Sequence, residues 1–90
     1  MSEMYLPEDT PNFKQKMKKL WKKDRLRFER LGKKIAEILE EPHRYEPLGN
    51  KMAGIRRVHL DPFVLTFSVD EEREVVRFLD FEHHDKAYKS

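Results

Sequence analysis

A chain of 90 residues with 40% charged side chains, no cysteine and a formal net charge of +2 fits one small domain. These figures exclude a disulfide framework, a thiolate zinc site and a bilayer-spanning run of about 18 apolar residues, and the opening residues lack the apolar core of a secretory signal. The expectation is a reducing, cytoplasmic setting and a modest hydrophobic core, whose thin stability margin makes a bound partner relevant.

Thr10 suits an N-cap and Pro11 a first helical position. Phe13, Met17, Leu20 and Trp21 then recur at i, i+4, i+7 and i+8, which is one apolar stripe on a first helix. A second helix is predicted from near Asp24, burying Phe28, Leu31, Ile35, Ile38 and Leu39 and ending before Pro42. Together they form a helical hairpin over about residues 10–41. The hairpin also carries the positive charge. From Pro11 to Lys34 eleven Lys or Arg stand against two acids, a local +9, whereas from Ile35 to Ser90 eight stand against twelve, a local −4. Such a field attracts polyanions such as RNA in a salt-sensitive way, and Lys18, Lys19, Lys22 and Lys23 are candidates for those contacts. The plainer alternative is a solvated lysine-rich face. A calmodulin-target or membrane-surface helix is disfavoured, because two amphipathic helices in tandem bury each other's stripes.

Beyond Pro42 a loop spans His43 to Gly54, and the hydrophobic period then switches from 3.6 to 2. In Ile55–Leu60, alternation sends Val58 and Leu60 to one face and Arg57 and His59 to the other. Asp61-Pro62 supplies a turn, and in the next strand Phe63, Leu65, Phe67 and Val69 point one way while Thr66 and Ser68 point the other. Asp70 to Arg73 reads as a hairpin turn into a third strand from Glu74 to Phe81 or a little beyond. Leu79 and Phe81 are expected in the core, with Asp80, Glu82 and, if the strand continues, His84 opposite. The predicted class is α+β. A helical hairpin packs on one side of an antiparallel sheet of three to four strands over about residues 55–82, and a short tail, 83–90, completes a single domain.

The other side of that sheet presents Arg57, His59, Thr66, Ser68 and His84, so a cation and imidazoles share an open surface. Such a surface can bind a phosphate and move a proton near neutral pH. Cleavage of RNA through its own 2′-hydroxyl needs a base for that proton, an acid for the leaving oxygen and cationic donors for the charge building on phosphorus; it needs no metal. A zinc site is disfavoured, because His43, His59, His83 and His84 lack ligand spacing. Against the catalytic reading, Arg57 and His59 fit equally the wet face of any antiparallel sheet.

Two helices, an E-P-L loop at Glu46-Pro47-Leu48, G-x-R-R-x-H from Gly54 to His59, V-L-x-F from Val64 to Phe67 and a terminal H-H-D-x-A-Y from His83 to Tyr88 together resemble the RelE/ParE toxin superfamily. The nearest likeness is to the RelE, YafQ and YoeB type of ribosome-dependent mRNA endonuclease. The resemblance covers nearly the whole chain and rests on the order and spacing of motifs that are individually weak. Members usually open with a clear strand; Met4-Tyr5-Leu6-Pro7 is a poor one, so a short or displaced strand is expected here.

The resemblance implies roles by position. Glu46 matches the loop glutamate that acts as general base in YoeB-like members, and His84, four residues before Tyr88, matches the general acid of YafQ-like members. Arg57 matches a basic position contacting the scissile phosphate, His59 a histidine on the same strand, and Tyr88 a C-terminal aromatic that positions substrate. Two positions depart from the pattern. Val64 stands where RelE and YoeB carry arginine, and Phe63 near an aspartate of YafQ-like members, so phosphate stabilisation would rest on Arg57 with Arg56 and Lys51. The implied partners are a cognate antitoxin, mRNA and the ribosome, with no cofactor, no metal and no membrane. The alternatives are a ParE-like toxin acting on DNA gyrase without nuclease chemistry, and a non-catalytic basic domain that binds RNA or ribosomes.

Overall fold

A computed structural model describes residues 4–45, 47–48 and 52–87. Its elements run β1 (Leu6–Asp9), α1 (Pro11–Lys23), α2 (Arg25–Glu40), a 3₁₀ turn (Pro42–Arg44), β2 (Pro47–Leu48), β3 (Met52–Leu60), β4 (Phe63–Asp70), β5 (Val75–His83) and α3 (His84–Ala87). The helical hairpin starts as its sequence requires. Thr10 is extended, its Oγ1 accepts from the Phe13 N–H at 3.2 Å, and Pro11 needs no donor at the first position. One residue, Asp24, ends α1 and begins α2: its N–H donates to the Leu20 carbonyl at 2.8 Å while its Oδ1 accepts from the Arg27 N–H at 3.0 Å. A carboxylate there also faces the positive end of the α2 dipole.

The sheet has the order β1-β5-β4-β3-β2. Pairing from β2 to β5 is antiparallel, but β1 runs parallel to β5 from Leu6↔Val75 to Asp9↔Phe78. The sheet is therefore mixed and five-stranded among the described residues, larger than the three or four antiparallel strands expected. β1 is the short strand that the resemblance led us to expect. Pro7, which has no N–H to give, is tolerated because the strand lies at an edge.

The hairpin covers one sheet face. Phe13, Leu31, Ile38 and Leu39 from the helices meet Val58, Leu65, Phe67, Val76, Phe78 and Phe81 from the strands, with Phe13 stacked on Phe78 at 5.5 Å. Each such side chain contributes roughly 1.5–3 kcal/mol on burial.

Two packing expectations are overturned. Trp21 does not join the core: it is 45% exposed, covered by the Arg25 guanidinium at 3.2 Å and by the edge of Phe28. Leu79 is not a core partner of Phe81 either. The register passes from Thr66↔Asp80 to Phe67↔Phe78, so Leu79 is the extra residue of a β-bulge and Phe78 takes the inward place. The bulged carbonyl is used by the helix, since Leu79 O accepts from Asn12 Nδ2 at 2.9 Å and from Thr10 Oγ1 at 3.3 Å. No helix among the described residues is long and apolar enough to cross a membrane.

Candidate functional site

Register defines the sheet face turned away from the helices. Arg57 faces Thr66, which faces Asp80; His59 faces Val64, which faces Glu82; Ile55 faces Ser68, which faces Arg77. Cross-strand partners share a face, so Arg57, His59, Thr66, Ser68, Asp80 and Glu82 all lie away from the helices. Arg57 is half-buried and His59 exposed. Two residues apart on one strand, they are roughly 7 Å from one another along β3, about the span of one nucleotide's phosphate and ribose.

His84 opens α3 and does not extend β5. Its backbone N–H donates to the Pro62 carbonyl at 2.6 Å, which fastens the tail to the β3–β4 turn, at the end of the sheet nearest His59. Its side chain is 54% exposed, with Nδ1 at 3.6 Å from Asp85 Oδ1. His83 belongs to the opposite face, paired with Phe63 and packed edge-on against that ring at 5.5 Å, its Nδ1 accepting from the Asp85 N–H at 3.2 Å. Val64, at the position where RelE and YoeB carry arginine, is 1% exposed and fills the space between His59 and Glu82. Glu46, Lys51 and Tyr88 lie outside the described residues.

Arg56 turns away from Arg57. It pairs with the buried Phe67, its Nη1 donates to the Tyr45 carbonyl, and its Nε is buried without a partner among the described residues. It therefore lies off the face that carries Arg57 and His59.

The four α1 lysines divide. Lys19 and Lys23 line a groove of about 210 Å³ with Lys16, Leu20, Phe63 and Phe81. Lys18 and Lys22 flank an apolar groove of about 280 Å³ formed with Met17, Trp21 and Phe28.

Two clusters went unread in the sequence. Lys16 Nζ pairs with both Asp80 Oδ1 and Glu82 Oε1, and Asp80 Oδ1 also accepts from Asn12 Nδ2 at 3.0 Å and from the Phe81 N–H at 2.9 Å. Burial works to lower the Lys16 pKa, but the hydrogen bonds to the two carboxylates outweigh it and hold the ammonium above its ordinary value. At the other end of the sheet, Glu71 joins His43 Nε2 and the Tyr5 hydroxyl, the latter at 2.8 Å. Those hydrogen bonds, His43 first, hold the Glu71 carboxyl below its usual range. Alternation put Asp80 and Glu82 on one face, but nothing distinguished Lys16 within a run of lysines. Among the described residues no group of three or more His, Asp or Glu is arranged to hold a metal.

The sequence matches the family described as the ParE toxin of type II toxin-antitoxin systems, parDE, over residues 9–88. The chain belongs to the RelE/ParE toxin family. It is 41% identical over 87 residues to the "Putative toxin RelE4" of Methanocaldococcus jannaschii, covering 96% of this chain and 93% of that one. An uncharacterized protein of Methanosarcina mazei is 44% identical over 86 residues, covering 94% of this chain and all of that one. The fold is that of the toxin-antitoxin complex RelBE2 from Mycobacterium tuberculosis, with a TM-score of 0.75 at 21% identity over 92% of this chain and 94% of that one. It is equally that of a mutant of the E. coli toxin RelE in the free state, with a TM-score of 0.76 at 21% identity over 94% of this chain and 88% of that one.

Proposed function

We propose that this RelE/ParE toxin is a metal-independent endoribonuclease that cuts mRNA held in the ribosome and is neutralised by a cognate antitoxin. The observation that carries the reading is the sheet face turned away from the helices, where Arg57 and His59 stand two residues apart on β3 and His84 is fastened at the same end. The 2′-oxygen attacks phosphorus, Glu46 takes its proton, and His84 gives a proton to the departing 5′-oxygen. Arg57, joined by Lys51, balances the charge that builds on the phosphoryl oxygens, and Tyr88 orients the nucleotide. Asp85 Oδ1 lies 3.6 Å from His84 Nδ1, a carboxylate beside the imidazole that gives up the proton. Each acid–base group contributes about 10²–10⁴-fold, and one preorganised cation a comparable factor, which suffices for a useful rate without a metal. The ribosome contributes by holding the message near in-line geometry. An antitoxin partner is supported by the Mycobacterium tuberculosis relative, whose structure is a toxin-antitoxin complex.

The test is expression of the toxin alone, with message ends mapped. Growth arrest with messages cut to 5′-hydroxyl ends is the expected result, and His84→Ala should lower the cleavage rate at least about 100-fold while the protein stays folded. Cleavage unchanged by that substitution overturns the assignment. One observation favours a second reading: Val64 is closed where RelE and YoeB carry arginine. Intact messages accompanied by DNA damage signalling would support a ParE-like action on gyrase instead.

A further inference from the structure

Of the six lysines on α1, Lys16 differs from the rest. Among the described residues it alone has acidic partners, and it has two. Its side chain passes the edge of β5 that β1 leaves open beyond Asp9↔Phe78, and it meets carboxylates that register assigns to the face turned away from the helices. Asp80 lies in the row of Arg57 and Glu82 in the row of His59. In each row the acid is two strand spacings from the basic group, about 9–10 Å. That is comparable to the Debye length of roughly 8 Å at physiological salt, so the acids are felt by any anion on this face.

Two like charges on neighbouring rows of one sheet face are unfavourable for folding and for RNA alike. A tether between α1 and β5 is already supplied by Thr10 and Asn12, which bond the Phe78 and Leu79 carbonyls. Neither carboxylate is sealed away, with side chains 37% and 27% exposed. We propose that Lys16 is an electrostatic positioning residue of the RNA face: it draws the Asp80 and Glu82 carboxylates towards α1 and cancels part of their charge, so that an RNA phosphate can settle at Arg57 and His59. This rests on the nuclease reading and deepens it. Lys16 touches no substrate. It sets the potential in which the substrate's phosphate sits, and its neighbours Lys19 and Lys23 continue the positive field along the groove beside Phe63.

The experiment measures the affinity of the full-length chain for a short 2′-O-methyl oligoribonucleotide, which cannot be cut, at low salt, with a thermal melt of every variant. Lys16→Gln should weaken binding about tenfold. The triple variant Lys16→Gln/Asp80→Asn/Glu82→Gln should return to within about threefold of the original, a rescue that a purely structural tether does not predict. Asp80→Asn/Glu82→Gln, with Lys16 retained, should bind more tightly than the unaltered chain, and it decides the matter if Lys16→Gln does not fold. Affinity indifferent to Lys16→Gln, a triple variant as weak as the single one, or a double variant no tighter than the original each overturns the inference while leaving the nuclease reading intact. An unaltered chain with no affinity for the oligonucleotide at low salt overturns the inference as well, and the mapping of message ends then decides the nuclease reading by itself.

Discussion

Single side chains show where local chemistry and packing diverge. Arg56 and Arg57 are identical neighbours, yet pleating sends one guanidinium against Phe67 and the Tyr45 carbonyl and the other to the open face. Glu71 illustrates how such placement controls titration. Hydrogen bonds from His43 and Tyr5 depress its folded pKa below the ordinary 4.5, so the stability they contribute is present above that value and is lost as pH falls through the lower, folded one. The group is largely solvated, so screening holds its worth to no more than about 1 kcal/mol. Glu71→Gln should accordingly narrow the difference in unfolding free energy between about pH 5 and about pH 3, measured by urea titration at both. A difference as large as in the unaltered chain would remove Glu71 from the acid response. Both rows of the candidate site were legible at this scale, because alternation alone assigns Arg57 and His59 to one face. The Lys16 pairing was not, since the direction of a lysine depends on how α1 is rotated over β5.

Secondary elements were legible to the extent that their signals are local. Thr10, Pro11, Asp24 and Pro42 punctuate the hairpin at positions that cap and stop chemistry dictates, and α1 and α2 end where those residues stand. Thr10 combines this local role with a long-range one, because its hydroxyl also donates to the Phe78 carbonyl at 3.0 Å. Thr10→Ala should cost about 1–2 kcal/mol in unfolding free energy, and Thr10→Ser, which keeps both bonds, only a fraction of that. Equal losses for the two, read from urea unfolding, would show that the methyl group and not the hydroxyl matters. The pairing of β1 and the bulge at Leu79 were illegible for the opposite reason. β1 pairs with a strand nearly seventy residues away, as Leu6↔Val75 shows, and no local pattern encodes the partner or the parallel direction. The bulge shifts parity by one residue in mid-strand, so continued alternation nominated Leu79 where Phe78 is buried.

Across the whole molecule, charge and hydrophobic burial segregate. The helices that cover one side of the sheet carry the local +9, while the opposite side carries Arg57 and His59 together with two carboxylates held by Lys16. If Lys19 and Lys23 dock on nucleic acid, ribosome association should weaken linearly in log–log plots against salt, and Lys19→Gln/Lys23→Gln should flatten that slope by about 2 units. Cosedimentation over a salt series checks this, and an unaltered slope would assign docking to another surface. Helix positions, strand alternation and the charge asymmetry follow from chain order alone, because each depends on neighbours a few residues apart. Folding in three dimensions was needed to pair β1 with β5, to bury Val64, to turn Arg56 inward and to bring Lys16 to Asp80 and Glu82. Those outcomes depend on register and on the seating of helix against sheet, and both are decided by contacts between segments far apart in the chain.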